Sequence, residues 1–474
     1  MKLLPVLLLA AALPIAAETP KKADSMSLPK DLPALLPEKP LSSPEVVTAT
    51  LPNGLAVQVV RQDGVPLANV RLVVKGGLSD DPPAGPGFAQ LLADGLKEGT
   101  ASRSGPQLAT AVQEAGGDLA TAASSDALTV AASGLAGKTT LLLDLVSDVA
   151  RNASFPVEGV ARVKALAHER LETDESDPSF VATRAFAKAL YGSHPYGVIA
   201  PTTASIDSVT PERLRAESRR RLRPERSLLL VVGAVDSAAV TREAARLFGS
   251  WKGIGEAPPA LPNAKSPAGE NRFEILDRPG SVQTALLVGL LGPLRTSPDA
   301  SALELAMTIY GGAFSSRLVQ NLREEKGYTY SPGAGVRWLA GRGSVRSRAA
   351  VRSEVTGASL GEIFYEMTRM GTTEPTDEEM DRARRVFTGL KAISLQTSPG
   401  LADELAQLWI LGLPPSEIGR TSDALAKVTK ADVKRVSKEY LAAGRARVVA
   451  VGDAKVIRAE LAPFGESCRP EPGH

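Results

Sequence analysis

Two stretches of this chain repeat one plan. "VTPERLRAESRRRLRPERSLLLVVGAVD" begins at Val209 and "VTKADVKRVSKEYLAAGRARVVAVGDAK" begins at Val428, an offset of 219 residues. Each reads as a Thr-capped helix, a break, and a β-run that ends in Gly. The spacing is 23 positions in both copies, from Thr210 to Gly233 and from Thr429 to Gly452. Equal spacing without a gap marks a duplication, so the fold must be one unit written twice. A length of 474 residues agrees, being too long for one compact core.

The starts of the halves match more loosely. "LAVQVVRQDGVPLANVRLVVKGG" (Leu55 to Gly77) and "RFEILDRPGSVQTALLVGLLG" (Arg272 to Gly292) are each two β-rich runs split by a turn. Helical patterns follow: Gly87 to Leu96, Gly105 to Ala115 and Lys138 to Asn152 in the first half, Pro298 to Tyr310 and Ser315 to Glu325 in the second. "DLATAASSDALTVAASGL" (Asp118 to Leu135) has the alternation of a hairpin. The expectation is an α+β fold of two homologous domains, each a largely antiparallel sheet with helices packed on it.

Proline-rich stretches punctuate the chain. The N-terminus has one early Lys2, an apolar run from Leu3 to Ala17, and small residues before Glu18, the layout of a secretory signal peptide with a run too short to span a membrane. The expected division is a signal peptide at 1–17, a linker at 18–45, a first domain at 46–253, a linker at 254–270 ("EAPPALPNAKSPAG") and a second domain at 271–468. No membrane span is expected in the mature chain. Cys468 is the sole cysteine, which excludes an internal disulfide and a Cys-based zinc site; with the signal-like start it suggests a periplasmic protein, or a secreted one.

A formal charge of +2 provides no broad field for nucleic acid. The one basic run, "ESRRRLRPER" (Glu217 to Arg226), carries its own glutamates and no interleaved aromatic residue, and it reads as a solvated helix face.

Chemistry is suggested by "GFAQLLADGLKEGT" (residues 87–100). Phe88, Leu91, Leu92 and Leu96 share the buried face of an amphipathic helix, while Gln90, Ala93 and Asp94 share another stripe, with Gln90 and Asp94 one turn apart. Side chains at that spacing can converge on one metal ion. With "GGDLATAASSDALTV" following, this region resembles the N-terminal signature of the M16 (pitrilysin, insulinase, mitochondrial processing peptidase) metallopeptidases, G-x-A-H-x-x-E-H-x-x-F-x-G-T and then G-G-x-x-N-A-x-T. "YGSHPYG" (Tyr191 to Gly197) resembles a loop of bacterial members, and "SSRLVQNLREEKGYTYSPGAGV" (Ser315 to Val336) resembles the C-terminal-domain signature.

The resemblance implies two LuxS/MPP-like metallohydrolase domains without zinc chemistry. Catalytic members bind zinc through both histidines of H-x-x-E-H and a later Glu, and use the motif Glu as general base. Here those positions hold Gln90, Asp94 and Ala93: a poor ligand, one carboxylate, and a methyl group that accepts no proton. In "AHERLETD" Glu169 matches the third ligand position most closely, with Glu172 as second choice. His168 and Glu172 lie at i, i+4 and read as an exposed helix face; His194 reads as a packing residue and His474 as a chain end.

The second signature is kept. The pattern L-R-E-x-x-G-x-x-Y maps the family's Arg and Tyr, which bind substrate backbone beside the scissile bond, onto Arg323 and Tyr330. The family's substrate-pairing strand corresponds to Leu119 to Ala123, with Ala120 where Asn is usual. The implied function is that of a non-catalytic subunit, inactive alone and with no cofactor of its own, paired with a zinc-bearing H-x-x-E-H homologue and a peptide substrate. Two alternatives stand beside it: a pseudo-peptidase that binds peptide or scaffolds an envelope complex, and a metalloenzyme with a site rebuilt near Asp94, His168 and Glu169.

Overall fold

The computed structural model describes residues 40–81, 85–267 and 272–465. The signal-like segment, the linker up to residue 39, Cys468 and His474 lie outside them.

The first half supplies strands β1 (Val46–Thr50), β2 (Ala56–Arg61), β3 (Leu67–Lys75), β4 (Asp118–Ala123), β5 (Ala127–Leu135) and β6 (Ser227–Gly233). They form a sheet in the order β1-β2-β6-β3-β5-β4. The second half supplies β7 (Phe273–Asp277), β8 (Gln283–Leu291), β9 (Gly333–Arg337), β10 (Ser344–Arg352) and β11 (Arg447–Gly452), in the order β7-β11-β8-β10-β9. Apart from the added β1, the orders are the same. In each sheet one pair is parallel, β2 with β6 and β7 with β11, and the remaining pairs are antiparallel. The duplication is thus a repeat of topology, and the α+β expectation holds.

The two "VT" helices start as the sequence implies. The Thr210 hydroxyl accepts from Arg213 N–H, and Thr429 forms a reciprocal capping box with Asp432. Each β-run after them enters the middle of its sheet. Gly233 ends β6 at φ +152°, where a Cβ would stand 2.2 Å from the Leu67 carbonyl oxygen, so glycine is required there.

Both faces of the central strands are buried because the halves exchange helices. The first half carries α1 (Phe88–Leu96), α2 (Gly105–Glu114), α3 (Thr139–Asn152), α4 (Val157–Ser176) and α5 (Pro178–Tyr191). Of these, α5 packs Ala182, Phe186, Leu190 and Tyr191 against Ala285, Leu287, Val449 and Val451 of the second sheet. In return the helix Ser398–Ile410 packs Leu401, Ala402, Leu405 and Leu408 against Val60, Val73, Leu228, Leu230 and Val232 of the first. Strands covered on both sides read as unbroken apolar runs, which is why β6 is SLLLVVG.

Two helical expectations change form. Pro298 to Tyr310 is helical from Ala300 to Met307 and then widens into a π turn over Thr308–Gly312. Ser315 to Glu325 is a short α turn, Arg317–Val319, that opens into a π turn over Gln320–Glu325. Wide turns of this kind re-aim side chains and are frequent at functional positions.

The basic run corrects a sequence expectation. Arg221 is fully buried rather than solvated: its guanidinium donates to Asp81 Oδ1 at 2.9 Å, Glu217 Oε2 at 2.8 Å and the Gly77 carbonyl at 3.0 Å. Arg220 reaches the Asp80 carbonyl, and Arg226 pairs with the Asp80 carboxylate. The spacing of the run is that of a surface helix, but it packs on acids some 140 positions earlier in the chain.

Candidate functional site

Helix α1 is held at its start by two devices. Gly87 precedes it at φ +75°, where a Cβ would lie 2.1 Å from Pro201 N. Asp81 Oδ1 accepts from Ala89 N–H at 2.9 Å while also accepting from the buried Arg221. Burial pushes the Asp81 carboxyl up to about 6, against the pull of Arg221. Phe88, Leu91, Leu92 and Leu96 face the core, as their spacing implies.

The outward stripe of α1 meets α4. Gln90 Nε2 donates to Asp94 Oδ1 at 3.3 Å, and Arg170 Nη1 donates to Asp94 Oδ2 at 3.1 Å. Ala93 is fully buried beside them. Gln90, Asp94 and Arg170, together with Asp174, Ala200 and Pro201, line a recess of about 20 Å³, room for roughly one water molecule. Helix α4 turns Arg170 toward Asp94, while Glu169 and Glu172 are exposed to solvent, so the α4 side chain that meets the motif helix is Arg170.

These donors do not fit zinc. Both oxygens of the one carboxylate are occupied, one by an amide and one by a guanidinium, and a cationic side chain already balances Asp94. Nor does a rebuilt site form near Asp94, His168 and Glu169. His168 Nε2 lies 2.9 Å from Asp207 Oδ1, and among the described residues no group of three His, Cys, Asp or Glu could hold a metal ion. His194 packs as expected: its Nδ1 accepts from Tyr196 N–H, and its Nε2 lies 3.0 Å from the Pro262 carbonyl oxygen.

Arg323 and Tyr330 meet at a second place. Arg323 stands in the π turn with its guanidinium 4.9 Å from the centre of the Phe314 ring and its Nε 3.2 Å from Glu324. Tyr330 is in the loop before β9, 88% of its surface is exposed, and its phenol makes no hydrogen bond with any described residue. Both line a cleft of about 510 Å³ that runs along β9 and reaches Arg337, Arg346 and Arg348. A cationic fork and a phenol at one cleft can donate hydrogen bonds to peptide carbonyls or to a developing oxyanion. The three further arginines were missed in the sequence, although the alternation in "SVRSRAAVR" places Arg346 and Arg348 on one face of a strand.

Both sheets end in a free edge. Among the described residues β4, which contains the Leu119 to Ala123 stretch, pairs only with β5, with Ala120 opposite Ala131, and β9 pairs only with β10. The ends of the two edge strands are tied across the halves. Arg337 Nη2 donates to Ser125 Oγ at 2.7 Å, and Asp126 accepts from Ala340 N–H and from the buried Tyr196 hydroxyl.

Known proteins resemble the chain over most of its length. A family model described as insulinase (peptidase family M16) matches residues 57–201, and one described as the peptidase M16 inactive domain matches 208–387. An uncharacterized zinc protease of Mycobacterium leprae is 30% identical over 66% of this chain and 71% of its own. One of Mycobacterium bovis is 26% identical over 86% of this chain and 94% of its own. The crystal structure of a peptidase M16 inactive domain from Pseudomonas fluorescens superposes with a TM-score of 0.80 at 25% identity, covering 86% of this chain and 98% of that one. A protease from Helicobacter pylori shares the fold, with a TM-score of 0.78 at 18% identity over 87% of this chain and all of its own.

Proposed function

The chain belongs to the M16 peptidase family, and from that premise we propose that it is the non-catalytic subunit of an exported M16 peptidase heterodimer, lending Arg323 and Tyr330 to a homologous partner that carries H-x-x-E-H. One observation carries the reading. The motif helix keeps its geometry while Gln90, Asp94 and Arg170 form a hydrogen-bonded, charge-balanced cluster beside the buried Ala93, and Arg323 and Tyr330 stand at an open cleft. The general base and the metal belong to the partner; this chain supplies hydrogen-bond donors to the substrate backbone. Export to the periplasm rests on the run from Leu3 to Ala17, and among the described residues no helix is long and apolar enough to cross a membrane.

The test is to purify the chain with the H-x-x-E-H homologue of the same genome and follow hydrolysis of a fluorogenic peptide. The mixture is expected to be at least tenfold faster than the homologue alone. R323A is expected to remove roughly a hundredfold in kcat, the scale of one oxyanion donor. No acceleration, or an R323A variant that accelerates fully, would end this reading. A peptide-binding scaffold is the second reading, supported by the two free edge strands within this one chain. It predicts a homodimer that leaves the homologue's rate unchanged.

A further inference from the structure

Helix α5 covers only part of the outer face of the second sheet. Phe186 lies over Gly289 of β8, where a Cβ would meet its ring at 2.9 Å. Beyond β8, β10 presents Arg346 and Arg348 on that same face, because their cross-strand partners on β8 are Gly289 and Leu287. On the other side they pair with Gly335 and Gly333 of β9. Those glycines leave the floor open: nothing lies within 4 Å of a Cβ built at Gly335, and at Gly333 the nearest side-chain atom is Arg348 Nε at 3.8 Å.

Two of the arginines along this floor are uncompensated. Arg346 and Arg348 make no hydrogen bond or ion pair with any described residue, and no Asp or Glu lines the cleft, although the chain as a whole is nearly neutral. Burial, with Arg337 and Arg348 close by, lowers the affinity of the Arg346 guanidinium for its proton. Arg346 is half-buried and Arg348 exposed, and a half-buried cation without a counter-charge is costly unless a ligand provides one.

We propose that the cleft along β9 binds an extended peptide with acidic side chains at alternate positions, added as a further strand to the free edge of β9 with its carboxylates on Arg346 and Arg348. This deepens the peptide-binding part of the function given above and rests on it. Side chains of an added strand alternate between faces, so every second one projects over Gly333 and Gly335. The glycine lane lets the guanidiniums of β10 reach across β9 to meet them, and each carboxylate–guanidinium pair is charge-assisted.

The test is calorimetric titration of the full chain at low salt with two capped ten-residue peptides, one alternating Glu with Val or Thr and one with Gln in place of every Glu. Capping removes the terminal carboxylate as a source of binding. The Glu peptide is expected to bind at least tenfold more tightly, and the preference should shrink at high salt. Arg346→Gln with Arg348→Gln should level the two peptides, whereas Arg348→Lys should keep the preference. Equal binding of both peptides, a preference that survives the double substitution, or tighter binding of a single-stranded oligonucleotide would overturn the proposal. The partner assay with R323A is independent of it: acceleration there with no discrimination here sinks the acidic preference alone, and no acceleration sinks the heterodimer reading.

Discussion

Restoring ligand chemistry to the motif helix tests whether Arg170 holds the position of the lost third ligand. The perturbation is Gln90→His, Ala93→Glu and Asp94→His, made with and without Arg170→Glu; Glu169 stays in both. Arg170 Nη1 is 3.1 Å from Asp94 Oδ2, so its guanidinium stands where an ion bound by position 94 would stand. Two unit charges 4 Å apart interact by about 4 kcal/mol at an effective dielectric of 20, and a divalent ion doubles that repulsion. Because the Arg170 side chain is 53% exposed and can swing into water, the penalty falls to a few kcal/mol. A carboxylate at 170 adds the third protein ligand that zinc prefers. The fourfold variant is therefore expected to bind zinc at least about 100-fold more tightly than the threefold one, read by competition with a fluorescent chelator and by metal content after dialysis. Ala93 is fully buried, so a Glu there destabilises both variants equally and cancels in the comparison. If the threefold variant binds zinc as tightly as the fourfold one, the carboxylate comes from elsewhere and the placement of position 170 is refuted.

Two further predictions concern the supports of the cleft. Arg317, buried at the start of the turn that carries Arg323, donates Nε and Nη2 to Glu379 at 2.6 and 2.9 Å. Burial alone would raise the Glu379 carboxyl, but Arg317 and the Thr376 N–H outweigh it and hold it at about 2, against 4.5 unfolded. Stability from this group is present above pH 4.5 and is lost as pH falls toward 2, by about 3 kcal/mol. Glu379→Gln should destabilise the chain by about 2–3 kcal/mol at pH 7 and flatten the acid limb of its urea-unfolding profile; parallel acid limbs would contradict the assignment. Tyr196→Phe removes the donor to Asp126 and the acceptor that Gly341 N–H reaches at 2.8 Å, all buried between the halves. It should lower unfolding stability by about 2 kcal/mol, and a change within measurement error would show that this tie does not hold the halves together.

What the sequence displays and what it hides follow from how far apart the cooperating residues lie. The duplicated helix-strand units, the β4–β5 hairpin and the buried face of α1 depend on neighbours within about one turn or one strand, and their patterns are written locally. The exchange of α5 for the helix Ser398–Ile410 leaves no such trace, since an apolar helix face looks alike whichever sheet it covers. Arg221 misleads for the same reason: its spacing is that of a surface, and only the approach of Asp81 makes it a buried anchor. At the motif site the difference is a single residue of helical phase, about 100° of rotation, which spacing alone does not fix between Glu169 and Arg170. That phase has a physical consequence. A carboxylate left at 94 without a cation would be a half-buried charge with nothing to balance it. Arg170 supplies the positive charge from the facing helix, so the cluster keeps its shape without a metal and the rest of the fold can go on presenting Arg323 and Tyr330.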